Sequence, residues 1–305
     1  MTVFLDGKHV DTLQSMPADE IQALIFMEPA ESSSVLKKLR LGKLRLPPPT
    51  EDDTSSRFES HNGFDRIFLN IPCKNDAAQS LQHVDIYLTG NDLIFIGKSF
   101  AVTQNLISLL QQNKANTPML PEHVLYLFFN LLTEKDGAHL QDVEEQIAAL
   151  EDDVAEGADI DYSAKISALR KDLLRWKRYY ESLFDLLTDL EENQNHFISK
   201  PQAKYFRILT NRADRLSRAV LNLRDYVTQV REAYQAQMDI SLNQTMKLFT
   251  VLTAIFSPLT LIVGWYGMNL AMPEFKIPFA YPVVIGVCVA VVGWCIYYFK
   301  KHKWF

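Results

Sequence analysis

"GWYGMNLAMPEF", Gly264 to Phe275, separates the only two long apolar runs of this 305-residue chain. From Leu248 to Trp265 there is no charged side chain, and from Phe279 to Phe299 there is again none. A helix needs ~20 apolar residues to cross a hydrocarbon core of about 30 Å, and both runs meet that length. Two such runs joined by a short loop predict a transmembrane hairpin rather than a pair of buried core helices. The N-terminal "MTVFLDGKHVDTL" lacks the basic segment and apolar core of a signal peptide.

The flanking charges orient the hairpin. Lys300, Lys301 and Lys303 follow the second run and Lys247 precedes the first, whereas the loop carries only Glu274 and Lys276. The positive-inside rule then places both ends in the cytoplasm and the Gly-Met-Asn loop outside. Trp265, Tyr266, Tyr281, Tyr297, Tyr298 and Trp304 fall near the expected boundaries, where interfacial aromatics sit. The formal net charge is −6, and since residues 247–305 carry five Lys and one Glu, the residues before them carry −10. An acidic cytoplasmic part argues against nucleic acid and is compatible with cations.

Cys73, Cys288 and Cys295 have no metal-site spacing, and the seven histidines are scattered singly, so a protein-ligated zinc site is not expected. No G-x-x-x-x-G-K loop and no Ser/His/Asp or Cys/His constellation is present, which argues against an enzyme.

Along the chain, residues 1–125 read as a cytoplasmic α/β domain. "RIFLNIPC", "VDIYLTG" and "DLIFIGK" are strand-like, the last two forming a hairpin through Gly90, Asn91 and Asp92, while "PADEIQALIFM" reads as a helix. Residues 126–201 form an acidic/basic helical hairpin. "PEHVLYLFFNLLTEK" starts a helix at Pro121. His139 to Tyr162 holds nine acidic residues, and the helix from Ser163 to about Asn193 brings Arg170, Lys171, Arg175, Lys177 and Arg178 to neutralise them, with Gly157 as the turn.

Residues 202–247 read as a stalk helix. Phe206, Leu209, Ala213, Leu216, Val220, Leu223, Val227, Val230 and Tyr234 alternate spacings of three and four, a coiled-coil seam that asks for other copies of the chain as partners. No proline or glycine interrupts Gln202 to Ser257, so the helix is expected to run on into the membrane. The remaining boundaries are a pore-lining span at 248–268, an external loop at 269–278, a second span at 279–299 and a basic tail at 300–305.

Within the first span, Asn243, Met246, Phe249, Ser257, Thr260 and Asn269 thread one stripe at near-heptad offsets. In a symmetric bundle each becomes a ring: Met246 and Phe249 apolar constrictions that gate by dewetting, and Asn243, Thr260 and Asn269 polar collars. With no carboxylate in the span, the rings suit a divalent ion that keeps its water shell.

"YGMN" at Tyr266–Asn269, "MPE" at Met272–Glu274, the preceding "FSPLT" around Pro258 and the basic tail together resemble the CorA family of divalent-cation channels. The motifs cover residues 240–305 closely, and the rest of the chain resembles the family by architecture. The resemblance implies an α+β cytoplasmic domain (an α/β sandwich), a long helical stalk and a two-helix transmembrane hairpin, assembled as a homopentameric funnel in the inner membrane, with both termini cytoplasmic.

It implies passage of hydrated Mg²⁺, with Co²⁺ and Ni²⁺ as further candidates, and no cofactor besides Mg²⁺ as cargo and candidate regulator. The selectivity filter would be Gly267, Met268 and Asn269, with Asn269 and the Gly267 carbonyl holding the ion through its water. Asn243, Met246, Phe249, Ser257 and Thr260 would line the conduit, and Pro258, Tyr266 and Glu274 would support the motif.

Three departures stand out: the loop between GMN and MPE is one residue short, Ser257 replaces an apolar residue common in relatives, and Ile208 stands where relatives that sense cytosolic Mg²⁺ often have Asp. A zinc transporter of the same superfamily and a membrane-tethered coiled-coil scaffold are the alternatives.

Overall fold

The computed structural model describes residues 1–5, 8–10, 22–31, 56–73, 81–99, 101–112, 120–156, 161–268, 279–302 and 304. They fall into two compact units: Met1–Asp152 with Ile160–Val230, and Asp153–Asp159 with Arg231–Phe305.

The first unit is built on a seven-stranded mixed sheet. Its strands are β1 (Thr2–Leu5), β2 (Lys8–Val10), β3 (Ala23–Met27), β4 (Arg57–His61), β5 (Phe64–Pro72), β6 (Leu81–Leu88) and β7 (Asp92–Gly97), in the order β2-β1-β3-β7-β6-β5-β4. Only β3 and β7 run parallel; every other pair is antiparallel. The β6–β7 hairpin turns where Gly90, Asn91 and Asp92 predicted it, with the Asp92 N–H donating to Thr89 Oγ1 at 2.8 Å.

β3 corrects the expected helix over "PADEIQALIFM". Ala23, Leu24, Ile25, Phe26 and Met27 are all buried and lie between β1 and β7. A strand flanked on both edges and covered on both faces has no polar side to alternate with, so its apolar run carries no period-two signature. Residues 17–21 of that expected helix lie outside the described residues.

Alternation along β5 sorts the core. Phe64, Arg66, Phe68 and Asn70 share one face with Tyr87, Ile94 and Ile25, while Ile67, Leu69 and Ile71 share the other with Leu93 and Phe95. On that second face Phe95 reaches Phe128 of the helix Pro121–Thr133, with ring centroids 5.1 Å apart.

The helices are α1 (Ala101–Gln112), α2 (Pro121–Thr133), α3 (Asp136–Ala155), α4 (Ser163–Glu192), α5 (Lys200–Tyr266) and α6 (Ala280–Lys301). α2 starts at Pro121, where a missing N–H costs the first turn nothing. α4 ends with Asn193 in the left-handed region at φ 51°, its N–H returning to Leu190 O. α3 and α4 pack side by side, His139 against Trp176 with ring centroids 4.9 Å apart. The expected neutralisation across this hairpin takes another form: Arg175 and Lys177 pair with Asp172 and Glu181 of their own helix. Gly157, the proposed turn, lies outside the described residues.

The seam on α5 also has other partners than expected. Phe206, Leu209, Ala213, Leu216, Val220, Leu223, Val227 and Val230 are buried within a single chain. Tyr126 of α2 lies edge-on to Phe206, Arg212 donates to Asn130 and Thr133 of α2, and Tyr226 donates to Glu151 of α3 at 2.5 Å. That last bond holds the Tyr226 hydroxyl up to about 12. A seam of threes and fours is satisfied by any apolar helix beside it, and here the chain's own helices supply them.

Candidate functional site

Among its described residues, the second unit contains two helical segments long and apolar enough to cross a membrane, one within α5 and the other α6. α6 packs on α5 by one face only: Val251, Ala254 and Ile255 meet Val291, Cys295 and Phe299. At about 3.6 residues per turn, positions 246, 249, 253, 257, 260 and 264 then lie roughly half a turn away, on the side of α5 that α6 leaves open.

An open groove of about 790 Å³ follows that side. Thr253, Phe256, Ser257, Thr260, Gly264 and Met268 are among its walls. The stripe expected from sequence is therefore partly recovered as a physical surface: Ser257 and Thr260 line the groove, and Met246 and Phe249, 64% and 58% exposed, continue along the same side toward the N-terminus. Asn243 is exposed but sits off the line of the groove by about a quarter turn. Phe256 and Gly264 escaped the sequence reading. Counting sevens from Phe249 and from Ser257 would have found them.

The groove is uncharged, and its polarity comes from hydroxyls and backbone. Thr260 Oγ1 donates to Phe256 O at 2.8 Å, and Thr250 Oγ1 donates to Met246 O at 2.8 Å. With its proton committed to the helix, the Thr260 oxygen keeps its lone pairs for a donor in the groove, such as water around a cation.

Pro258, half-buried, interrupts the backbone ladder within α5. The helix closes at Tyr266, after which the Gly267 N–H returns to Val263 O at 2.8 Å and the Met268 N–H to Trp265 O at 3.4 Å. This C-terminus carries a partial negative charge from the aligned peptide dipoles, so the segment bearing Gly267 and Met268 starts where a cation is favoured. Asn269 and Glu274 lie outside the described residues. Tyr266 is 36% exposed.

In the first unit, Ile208 of α5 is an apolar side chain that is 49% exposed. No group of three or more His, Cys, Asp or Glu side chains among the described residues is placed to hold a metal ion.

Comparison with known proteins agrees with this geometry. Residues 33–301 match the family model described as CorA-like Mg²⁺ transporter protein. The chain belongs to the CorA-like Mg²⁺ transporter family.

Among CorA relatives, it is 29% identical over 184 residues to the cobalt/magnesium transport protein CorA of Thermotoga maritima, covering 60% of this chain and 52% of that one. The aligned stretch thus spans about half of that relative's length. It is 26% identical over 272 residues to the protein of the same name from Methanocaldococcus jannaschii, covering 88% and 86%.

The complete structure of the Methanocaldococcus jannaschii CorA magnesium transporter shares the fold, with a TM-score of 0.81 at 21% identity over 97% of this chain and 95% of that one. The zinc transport protein ZntB of Pectobacterium atrosepticum is similar as well, at 25% identity over 244 residues, 78% of this chain and 72% of that one.

Proposed function

We propose that the chain forms a Mg²⁺ channel, a homopentamer in the inner membrane with both termini cytoplasmic, passing the hydrated ion along the open side of α5. The observation that carries this reading is the uncharged groove of α5, turned away from α6 and ending at Met268. One helix encloses nothing, so a conduit needs several copies to set these grooves around a common axis. The same demand comes from α5 between 235 and 250, where every residue is exposed, Met238, Ile240, Leu242, Met246, Leu248 and Phe249 included.

Neutral walls suit an ion that gives up its water reluctantly. A ring of carboxylates would strip or trap it, whereas hydroxyls and carbonyls exchange hydrogen bonds with its shell and let it go. Thr260 and Asn269 act as polar collars, and Met246 and Phe249 as the constriction that dewets when closed. The ion needs no chemical coupling: a doubly charged ion gains about 4.6 kcal/mol from 100 mV of inside-negative potential.

The test is ion influx into liposomes holding the purified full-length protein under an inside-negative potassium diffusion potential. Mg²⁺ is expected to enter without nucleotide or proton gradient, accompanied by Co²⁺ and Ni²⁺. Zn²⁺ influx with no Mg²⁺ influx would move the protein to the zinc reading that the ZntB relative raises. No influx of any divalent ion would leave a membrane-anchored scaffold.

Regulation by cytosolic Mg²⁺ is testable at Ile208. Placing a carboxylate there with Ile208→Asp is expected to make high internal Mg²⁺ slow influx roughly fivefold or more beyond its effect on the unmodified protein, a typical coupling between sites. Identical influx at low and high internal Mg²⁺ in the variant would separate gating from this part of the stalk.

A further inference from the structure

The proline in α5 leaves a backbone group to be accounted for. Pro258 has no N–H, so the carbonyl four residues earlier, Ala254 O, has no α-helical donor. Ala254 faces α6, away from the groove, where an orphaned acceptor beside lipid-facing apolar side chains is costly. The donor that reaches it is a thiol: Cys295 of α6 points Sγ at Ala254 O, 3.9 Å away. Cys295 is only 7% exposed and is buried in one cluster with Val251 and Phe299.

We infer that Cys295 is a positioning residue for transport: its S–H donates into the carbonyl that Pro258 frees, and so fixes how far α5 bends behind Ser257 and Thr260. The inference rests on the channel reading for its effect on flux, though the hydrogen bond itself does not. Ser257 and Thr260 stand on the groove side next to the same break, and a change of bend at Pro258 moves them relative to Met246 and Phe249 below it. A thiol is a weak donor, which suits a joint that has to give: it satisfies the carbonyl in one packing of α5 on α6 and releases it at small cost in another. An ordinary hydrophobe at 295 would fill the space and leave the carbonyl unpaired.

Two measurements test this. In liposomes, Cys295→Ala is expected to change Mg²⁺ influx by about two- to fivefold, the range of a weak hydrogen bond. The same substitution made on Pro258→Ala should change influx little, because residue 258 then supplies its own N–H to Ala254 O. An equal change in both backgrounds would overturn the proposal, as would no change in the unmodified one.

The second measurement is independent of transport. The infrared S–H stretch of Cys295, isolated as the difference between unmodified protein and Cys295→Ala, should lie at the lower frequency of a bonded thiol and rise in Pro258→Ala. A free-thiol frequency in both proteins would overturn the hydrogen bond itself. A shifted band in a protein that carries no ions would place the failure in the channel reading instead.

Discussion

Replacing Asn269 by alanine is expected to lower Mg²⁺ influx at least tenfold while leaving the assembled protein intact. α5 delivers its C-terminal carbonyls and partial negative charge to the residues just before Asn269, so the ion arrives at a neutral but favourable mouth. There it still holds its water, and the neighbouring groups act on that shell.

A hydrogen bond to a charged partner contributes about 1.5–3 kcal/mol, and in a closed ring one substitution removes every copy's amide at once. Even one such contribution lost from the entry step is a factor of ten. Gly267→Val offers an independent check on the same mouth. A Cβ at Gly267 would sit 3.0 Å from Val263 O, so the last turn has to shift, and influx should fall although no amide is lost. Liposome influx measured beside the size of the purified assembly separates these effects from misassembly. Equal influx for Asn269→Ala and unmodified protein would sink the ring.

The membrane part was legible because it rests on one-dimensional signals. Runs without charge, the lysines at their ends and the aromatics at their boundaries need no knowledge of packing, and α5 and α6 end within a few residues of the expected spans. Part of the expected stripe was legible by periodicity, for Ser257 and Thr260 share the open groove on α5.

What stayed hidden depends on neighbours. Ala23–Met27 reads as helix after an acidic lead-in, and becomes a strand because β1 and β7 offer it two edges. The seam from Phe206 to Val230 gives the pattern of an apolar stripe without naming what covers it, and α2 and α3 do so from the same chain. The exposed stretch comes after it, over residues 235–250, beyond the last position of that seam. The thiol at 295 was visible only as one of two cysteines seven residues apart; its meaning needs the carbonyl that Pro258 strands on another helix.

Arg66 illustrates the same limit in the first unit and carries the largest expected loss of stability. In the sequence it is merely the first residue of "RIFLNIPC", and nothing in that segment says which strand lies beside it. The β5–β6 register sets Arg66 opposite Tyr87, one step from Asp85. Its Nε and Nη2 then donate to the two Asp85 oxygens, each at 2.9 Å, Tyr87 donates to Asp85 as well, and Glu59 stands 3.5 Å from Nη1.

Burial works against the Arg66 charge, but the Asp85 bonds and the surrounding negative charge overcome it and raise its affinity for the proton. With the folded value above the unfolded one, the cation is favoured at every pH below the arginine range, so no physiological pH window weakens it. The Arg66 and Asp85 side chains are 2% and 5% exposed.

Arg66→Met therefore leaves a buried carboxylate without its counter-charge and is expected to cost about 3–5 kcal/mol. In a unit of this size that lowers the thermal midpoint by roughly 6–20 °C, measurable by tryptophan fluorescence of the full chain in detergent. The loss should be largely reversed when Asp85→Leu and Tyr87→Phe are added, since the one carboxylate left beside residue 66, Glu59, keeps its bonds to Arg57 and His61. A midpoint unchanged by Arg66→Met alone would mean that water reaches Asp85, and the pair would count as a surface contact.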